Sequence, residues 1–351
     1  MEKIIFNCET ITPMFSAGAD GRTPEIRVPE IKAAMRFWWR ACNGHLSIEE
    51  LRKKEAEIFG GSGEKEGKSS FSMRVTNLKK QIYEQLDWDK DLIGTKENRK
   101  YMVQGTRNGQ IISVNLFNYL GFGALVEYKK ELYHRFDKNV LSRKGLACNT
   151  LFQLVVSYDK SHKKDIFEAF SLLNCFGALG AKSRNGFGRV VLKPETEIIA
   201  NSNIEEFFKK IKNMSSLCSK PEFTAFSKEM SLFKTNNTWL TWHETLFEIG
   251  KIYRESRLAL PDHKKWDVRQ YLASPIIVDK KDVTELQLER HAKSYFMIIS
   301  RESSSYSGYI LHLPYNFNIK PEKYDKYEKA YQKMNNNIST KMNKVEVCTN
   351  D

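Results

Sequence analysis

No stretch of this chain approaches the roughly 20 uninterrupted apolar residues that a membrane helix needs, so a helical membrane span is not expected. The opening residues Met1-Glu-Lys-Ile-Ile-Phe-Asn-Cys8 lack the basic stretch and long apolar run of a signal peptide. The expectation is a cytoplasmic protein with no membrane partner. There are only 9 prolines in 351 residues. The 6 cysteines (Cys8, Cys42, Cys148, Cys175, Cys218 and Cys348) include no Cys-x-x-Cys pair, which argues against a zinc knuckle or ribbon. In a reducing compartment they read as buried small hydrophobes or idle thiols. The 7 histidines are scattered, and no nucleophile–base pair stands out. No period of 20 to 50 residues suggests a solenoid.

Three apparent motifs also fail. Gly61 to Ser69 resembles a phosphate-binding loop, but five residues instead of four separate Gly61 from Gly67, and a helix precedes it. His243-Glu244 begins like a zinc-protease helix, yet Phe247 stands where the second histidine belongs. Gly186-Phe-Gly188 lacks the final glycine of a dinucleotide fingerprint, since Val191 takes that place. No metal and no cofactor is expected.

What is present is folded-protein composition, 41% hydrophobic and 12% aromatic, with positive charge in excess: 56 Lys and Arg against 43 Asp and Glu, net +13. The length suits a substantial core and two domains. Such a surplus speaks about partners rather than fold, and nucleic acid is the commonest polyanion to meet it. A merely solvated lysine-rich surface is the alternative.

Residues 3 to 9 read as a strand, and a glycine- and proline-containing loop from Thr12 to Pro24 follows. Pro29, at a first-turn position, opens a helix that carries two stripes. Ile31, Met35, Trp38 and Cys42 have core spacing, while Lys32, Arg36 and Arg40 recur every four residues with Trp39 near the seam. A second helix runs from Ile48 to Phe59, and Phe71, Met73 and Val75 alternate as in a half-buried strand. Residues 77–143 read as an insertion of short, irregular elements. Leu146 to Tyr158 reads as a strand, Asp165 to Phe176 as a helix and Val190 to Leu192 as a strand. The pattern suggests an α+β chain of two fused ferredoxin-like (RRM-like) domains. The first spans 1–195 with the insertion, and the second spans 196–336. In the second, Ile204–Lys212, Thr241–Leu258 and Pro321–Met334 read as helices. Tyr271–Val278, Ser294–Ser300 and Tyr309–Leu313 read as strands, and 337–351 as a mobile tail.

Two signals carry chemistry. In the loop Gly180-Ala-Lys-Ser-Arg-Asn-Gly-Phe-Gly188, glycines allow close backbone approach, and Lys182, Arg184 and Arg189 add charge. Phe187 would stack on a base, with Ser183 and Asn185 as hydrogen-bonding groups. An ordinary glycine hairpin with Phe187 in the core is the competing reading. The second signal is Arg22, Arg27 and the Lys32/Arg36/Arg40 stripe with Trp39, which would contact phosphates or form a solvated face. Asp20 is either a turn former or a metal-binding carboxylate for RNA cleavage.

Thr12-Pro-Met-Phe-Ser-Ala-Gly-Ala-Asp-Gly21, then Arg27 to Arg40 with its Arg-Phe-Trp-Trp-Arg, then Ile58-Phe-Gly-Gly61, resemble the opening of the RAMP superfamily. Within it they resemble the family of first Cmr subunits of type III-B CRISPR–Cas complexes. The 180–188 loop matches the superfamily's glycine-rich loop. Arg269-Gln-Tyr-Leu-Ala-Ser-Pro275 and Arg290-His-Ala-Lys293 are similar to motifs of its second half. One departure is Ala17, where the family pattern has glycine. The resemblance implies two RRM-like domains and a place in an assembly around a CRISPR guide RNA. It places this subunit at the guide's 3′ end, where it helps engage target RNA. The implied partners are guide RNA, target RNA, a neighbouring RAMP subunit and the backbone subunit. Target cleavage belongs to the backbone subunit and signalling-nucleotide synthesis to the large polymerase-like subunit, so this chain would not be an enzyme. Arg269, Arg290, His291 and Lys293 join the candidate RNA contacts. Guide pairing would supply sequence specificity. Cleavage through Asp20 and a purely protein-contacting adaptor remain the alternatives.

Overall fold

The computed structural model describes residues 1–63, 66–107, 110–132, 136–196, 203–260, 268–273, 277–278, 281–282, 292–315 and 324–346. The first unit is built from β1 (Glu2–Thr10), α1 (Val28–Cys42), α2 (Ile48–Phe59), β2 (Phe71–Lys79), β3 (Leu151–Tyr158), α3 (Lys163–Phe176) and β4 (Val190–Pro194). Its strands pair antiparallel in the order β4-β1-β3-β2. With a helix after the first and third strands, this is the ferredoxin-like βαββαβ arrangement. Proline in the first turn favours the start of α1. A Ser47/Glu50 capping box starts α2, and Gly60 ends it at φ +73°.

α4 (Ile204–Lys212) leads into the second unit: β5 (Ser231–Lys234), α5 (Trp242–Leu258), β6 (Tyr295–Glu302), β7 (Ser305–His312), α6 (Tyr324–Ser339) and β8 (Asn343–Lys344). The strand order is β6-β7-β5-β8, again antiparallel. It is the first unit's order read from the opposite edge, so the two-unit α+β expectation is met.

The sheets differ in what covers them. In the first, Ile4, Phe6 and Cys8 face inward with Phe152, Leu154 and Val156, while Lys3 and Asn7 are exposed. The outer face carries a polar chain in which Asn77 donates to Gln153, and Gln153 donates to Asn7 (3.0 Å) and Glu195 (3.3 Å). By alternation, the central strands present Ile5, Asn7, Gln153 and Val155 outward, with no aromatic among them. The base-stacking use of an RRM sheet therefore has no platform here. The second sheet is covered on both faces. Leu232, Phe296, Ile298 and Leu311 pack with Trp38 and Phe176 of the first unit. Phe233, Tyr295, Met297, Ile299 and Ile310 join Leu246, Ile249 and the insertion.

The insertion folds as short antiparallel pairs (Met102–Arg107 with Gln110–Asn115, Val126–Tyr128 with Asn139–Leu141) around a helix, Leu116–Gly121. It packs on α5: Phe117 meets Trp242 edge-on with centroids 6.0 Å apart, and Arg254 Nη1 donates to the Gln104 carbonyl at 2.8 Å.

Three boundaries are corrected. The tail expected to be mobile is ordered from 337 to 346: α6 runs to Ser339, and Asn343–Lys344 pairs with Phe233–Lys234. Asn335, Asn336 and Asn337 weaken helix propensity, but Met334, Ile338 and Met342, four residues apart, are all buried and decide the matter. The strand expected over 271–278 is replaced by a 3-10 turn, Arg269–Tyr271, and a two-residue pairing of Ile277–Val278 with Lys281–Asp282. The strand expected from Leu146 begins at Leu151, because Gly145–Leu146 pairs with Ile82–Tyr83.

Candidate nucleic-acid interface

The glycines of the 180–188 loop serve tight packing. Gly180, Gly186 and Gly188 have φ of +85°, +88° and +74°, and a Cβ on Gly188 would lie 1.7 Å from the Leu179 carbonyl oxygen. The loop is laced to the chain's first loop. Ala181 N–H donates to Phe15 O (3.0 Å), Gly188 N–H to Pro13 O (2.9 Å) and Thr12 Oγ1 to Gly186 O (2.9 Å). Those amides are consumed inside the protein rather than offered to phosphate.

Three expected RNA contacts are corrected by burial. Phe187 is fully buried (0% exposed), stacked on Trp88 at 6.0 Å and edge-on to Phe15 at 5.7 Å. Trp39 is 1% exposed and packs against Phe59. Arg189 is 4% exposed, and its guanidinium caps the C-terminus of α3. Nη1 donates to Leu173 O (3.4 Å) and Gly177 O (2.9 Å), and Nη2 donates to Asn174 O and Cys175 O. Its Nε reaches Ile299 O of the second unit at 3.1 Å. Burial lowers its pKa to about 10, still far enough above neutrality to keep the charge that suits a helix C-terminus.

The remaining loop side chains tie the loop to the insertion and to the second unit. Lys182 Nζ donates to Phe122 O (2.9 Å), and Asn185 Nδ2 to Leu120 O (2.7 Å). Arg184 donates to Lys293 O and lies over the Phe296 ring, 4.7 Å from its centroid. Met297 N–H donates to Arg184 O at 3.1 Å. Lys293 Nζ answers with bonds to Arg184 O (3.0 Å) and Asn185 Oδ1 (2.5 Å) over the Tyr253 ring. The residue is part-buried and its ammonium is enclosed. Burial first, then the charges of Arg184, Lys182 and Arg257, push its pKa well below the usual lysine value.

The basic stripe on α1 is largely spent on α2. Arg36 Nη2 donates to Phe59 O (3.1 Å) and Gly60 O (2.8 Å), and Arg36 pairs with Glu55 at 3.2 Å. Arg40 grips both oxygens of the same Glu55. Lys32 sits 5.3 Å from the Phe71 ring centroid, its pKa lowered chiefly by burial. By contrast Arg22 and Arg27 are exposed. Arg22 rides a turn closed by Asp20, whose carboxylate accepts the Arg22 and Thr23 amides at 2.9 Å each and the Thr23 hydroxyl at 2.5 Å. These bonds pull the Asp20 pKa to about 2. Among the described residues no group of three or more His, Cys, Asp or Glu forms a metal-binding cluster. Arg269 donates to Leu258 O at 3.4 Å. Arg290 and His291 lie outside the described residues.

A groove of about 280 Å³ lies where α1, the glycine loop and β6 meet, lined by Glu30, Phe37, Gly180, Ser183, Arg184 and Phe296. Glu30 organises it: its carboxylate accepts Ser16 Oγ on one side and the Gly180 amide (2.7 Å) on the other. This ties the Arg22/Arg27 hairpin to the loop. Sequence reasoning passed over Glu30. The only signal was an acidic residue in the first turn of an otherwise basic helix.

The RAMP superfamily model matches residues 7–191, a little over half of the chain. The chain belongs to the RAMP superfamily. It is similar to CRISPR system Cmr subunit Cmr1-2 of Pyrococcus furiosus, 38% identical over 107 residues. That match spans 29% of this chain and 57% of the relative, little more than half its length. The fold is similar to the crystal structure of apo Cmr1 from Pyrococcus furiosus (TM-score 0.57, 18% identity, 99% of each chain covered). It is also similar to a chain of the type III-B Cmr-beta complex bound to cognate target RNA (TM-score 0.52, 13% identity, 96% of this chain and 100% of that one). No described helix is long and apolar enough to cross a membrane.

Proposed function

We propose that this chain is a non-catalytic RNA-binding subunit of a cytoplasmic type III-B CRISPR–Cas (Cmr) effector complex, set at the guide RNA's 3′ end and assisting target RNA capture. RAMP membership and the likeness to Cmr subunits support the assembly. The observation that carries RNA binding is the exposed Arg22/Arg27 hairpin, which Glu30 ties to the glycine loop beside a groove lined by Ser183 and Arg184. Exposed arginines beside such a groove suit a phosphate backbone. Ser183 and the exposed part of Arg184 line the path, and Arg22 and Arg27 extend it.

The test is single-stranded RNA affinity against salt. Replacing Arg22 and Arg27 by alanine should weaken binding and flatten the slope of log K against log salt by roughly 0.7 per lost phosphate contact. An unchanged slope would sink the reading. It would favour the protein-contacting adaptor, which the internal bonds of Lys182, Arg184 and Asn185 already support. Asp20→Asn separates off the cleavage reading, since no RNA scission by the complex should depend on it.

A further inference from the structure

The chain contains two Gly-Phe-Gly tripeptides, Gly121-Phe122-Gly123 and Gly186-Phe187-Gly188. The second buries its ring, and the first does the reverse. Phe122 is 56% exposed, and of the described phenylalanines it alone is exposed. A single apolar side chain in solvent needs no explanation by itself. What sets Phe122 apart is how firmly its backbone is held. Its own N–H donates to Tyr119 O (3.4 Å), Gly123 N–H to Val126 O (3.0 Å) and Ala124 N–H to Gly121 O (3.3 Å). A Cβ on Gly121 would come within 3.1 Å of Val126 and 3.3 Å of Leu125, and both of those side chains are fully buried. Gly123 turns the chain at φ +80° in open space. The turn is thus plugged into the insertion's core while Phe122 stays in solvent.

Two basic residues meet this turn. Lys182 holds a left-handed φ of +60°, which a β-carbon disfavours, and its ammonium donates to Phe122 O at 2.9 Å. That bond ties the turn to the residue beside Ser183, which lines the groove. From another strand, Ser142 N–H donates to Leu125 O (2.6 Å) and its hydroxyl to Ala124 O (3.3 Å). The next residue, Arg143, is half-buried and has no hydrogen bond or ion pair among the described residues. The exposed residues that follow the turn are Glu127, Tyr128, Lys129 and Lys130, charge rather than the continuous apolar patch of a protein-docking face. A fixed, solvent-facing ring with an uncommitted cation nearby suits an unpaired base and its phosphate. It is also the aromatic that the first sheet's outer face lacks and that Phe187 and Trp39, being buried, do not supply.

We infer that Phe122 stacks on one unpaired base of a bound RNA strand, with Arg143 against a flanking phosphate. The inference rests on the RNA reading of the groove in requiring that a strand pass the glycine loop. The full chain is titrated with a fluorescently labelled single-stranded oligoribonucleotide. Phe122→Ala should weaken binding by roughly tenfold, the worth of one base stacked on an aromatic ring, with the salt slope and the melting temperature unchanged. Phe122→Trp should keep the affinity, and RNA should quench the added indole fluorescence. Phe122→Leu retains apolar bulk without a ring and should bind as weakly as the alanine variant. Arg143→Ala should flatten the slope of log K against log salt by roughly 0.7. Unchanged affinity in Phe122→Ala, or affinity kept by leucine as well as by tryptophan, overturns the inference. If Arg22→Ala/Arg27→Ala still flattens the slope in that case, the groove reading stands and only the stacking falls. A loss in Phe122→Ala beside an unchanged slope in Arg22→Ala/Arg27→Ala supports the stacking and sinks the groove reading alone.

Discussion

Two stretches of this chain combine glycine with positive charge, residues 12–27 and residues 180–189, and they spend that composition in opposite ways. In the second, the glycines let the backbone pack against Phe15 and Leu179, and the basic side chains donate to carbonyls of the insertion, α3 and β6. In the first, Gly21 turns in open space, and Arg22 and Arg27 reach solvent. A basic glycine-rich loop is thus a statement about close approach. What approaches, protein or ligand, depends on the elements around it.

The largest expected effect that sharpens this contrast is Arg189→Met. It strands the carbonyls at the end of α3 and should cost about 3 kcal/mol or more, read by denaturant unfolding. An effect below about 1 kcal/mol would break the comparison. Next comes a pair of glycine substitutions. Gly188→Ala meets both a left-handed φ and a backbone clash and should lose about 2 kcal/mol or more. Gly21→Ala, at φ +67° with free space, should lose only about 1 kcal/mol. Equal losses would show the two loops to be equally packed.

Lys293→Met tests the latch between the units through pH. Its folded pKa is depressed, so between that value and the ordinary 10.5 the unfolded chain holds a proton the folded chain has released. Stability should therefore rise with pH across that window in the native chain and stay flatter in the variant. The smallest effect belongs to Arg40→Ala. Its partner Glu55 leaves it a part-exposed ion pair, worth under about 1 kcal/mol, and the RNA salt slope should stay as it was.

Local sequence carried much of the fold. The period of α1, the proline that opens it and the alternation of Phe71, Met73 and Val75 in β2 are set by neighbouring residues, and both elements appear where those patterns place them. What escaped depends on distant partners. Ser231–Lys234 is too short to show alternation, and it is a strand because Tyr309–His312 pairs with it. The α6 extension is fixed by burial against the second core, which no propensity registers. The site was less legible for the same reason. Residue type marked the 180–188 loop and the 32/36/40 stripe as basic, but only the fold sets Glu55 against Arg36 and Arg40, or threads Arg189 beneath α3. The unmarked Glu30 became the residue that joins the two signals.

The insertion's docking on α5 has a consequence for how the chain is made. Trp88 and Phe117 leave the ribosome well over a hundred residues before Trp242 and Leu246, the side chains that complete their core. Through that interval the nascent first unit carries an apolar surface with nothing to cover it, and long-range contacts of this kind close slowly. Synthesis order thus sets a period of vulnerability, in which a holding chaperone would find the insertion and lose it once α5 emerges.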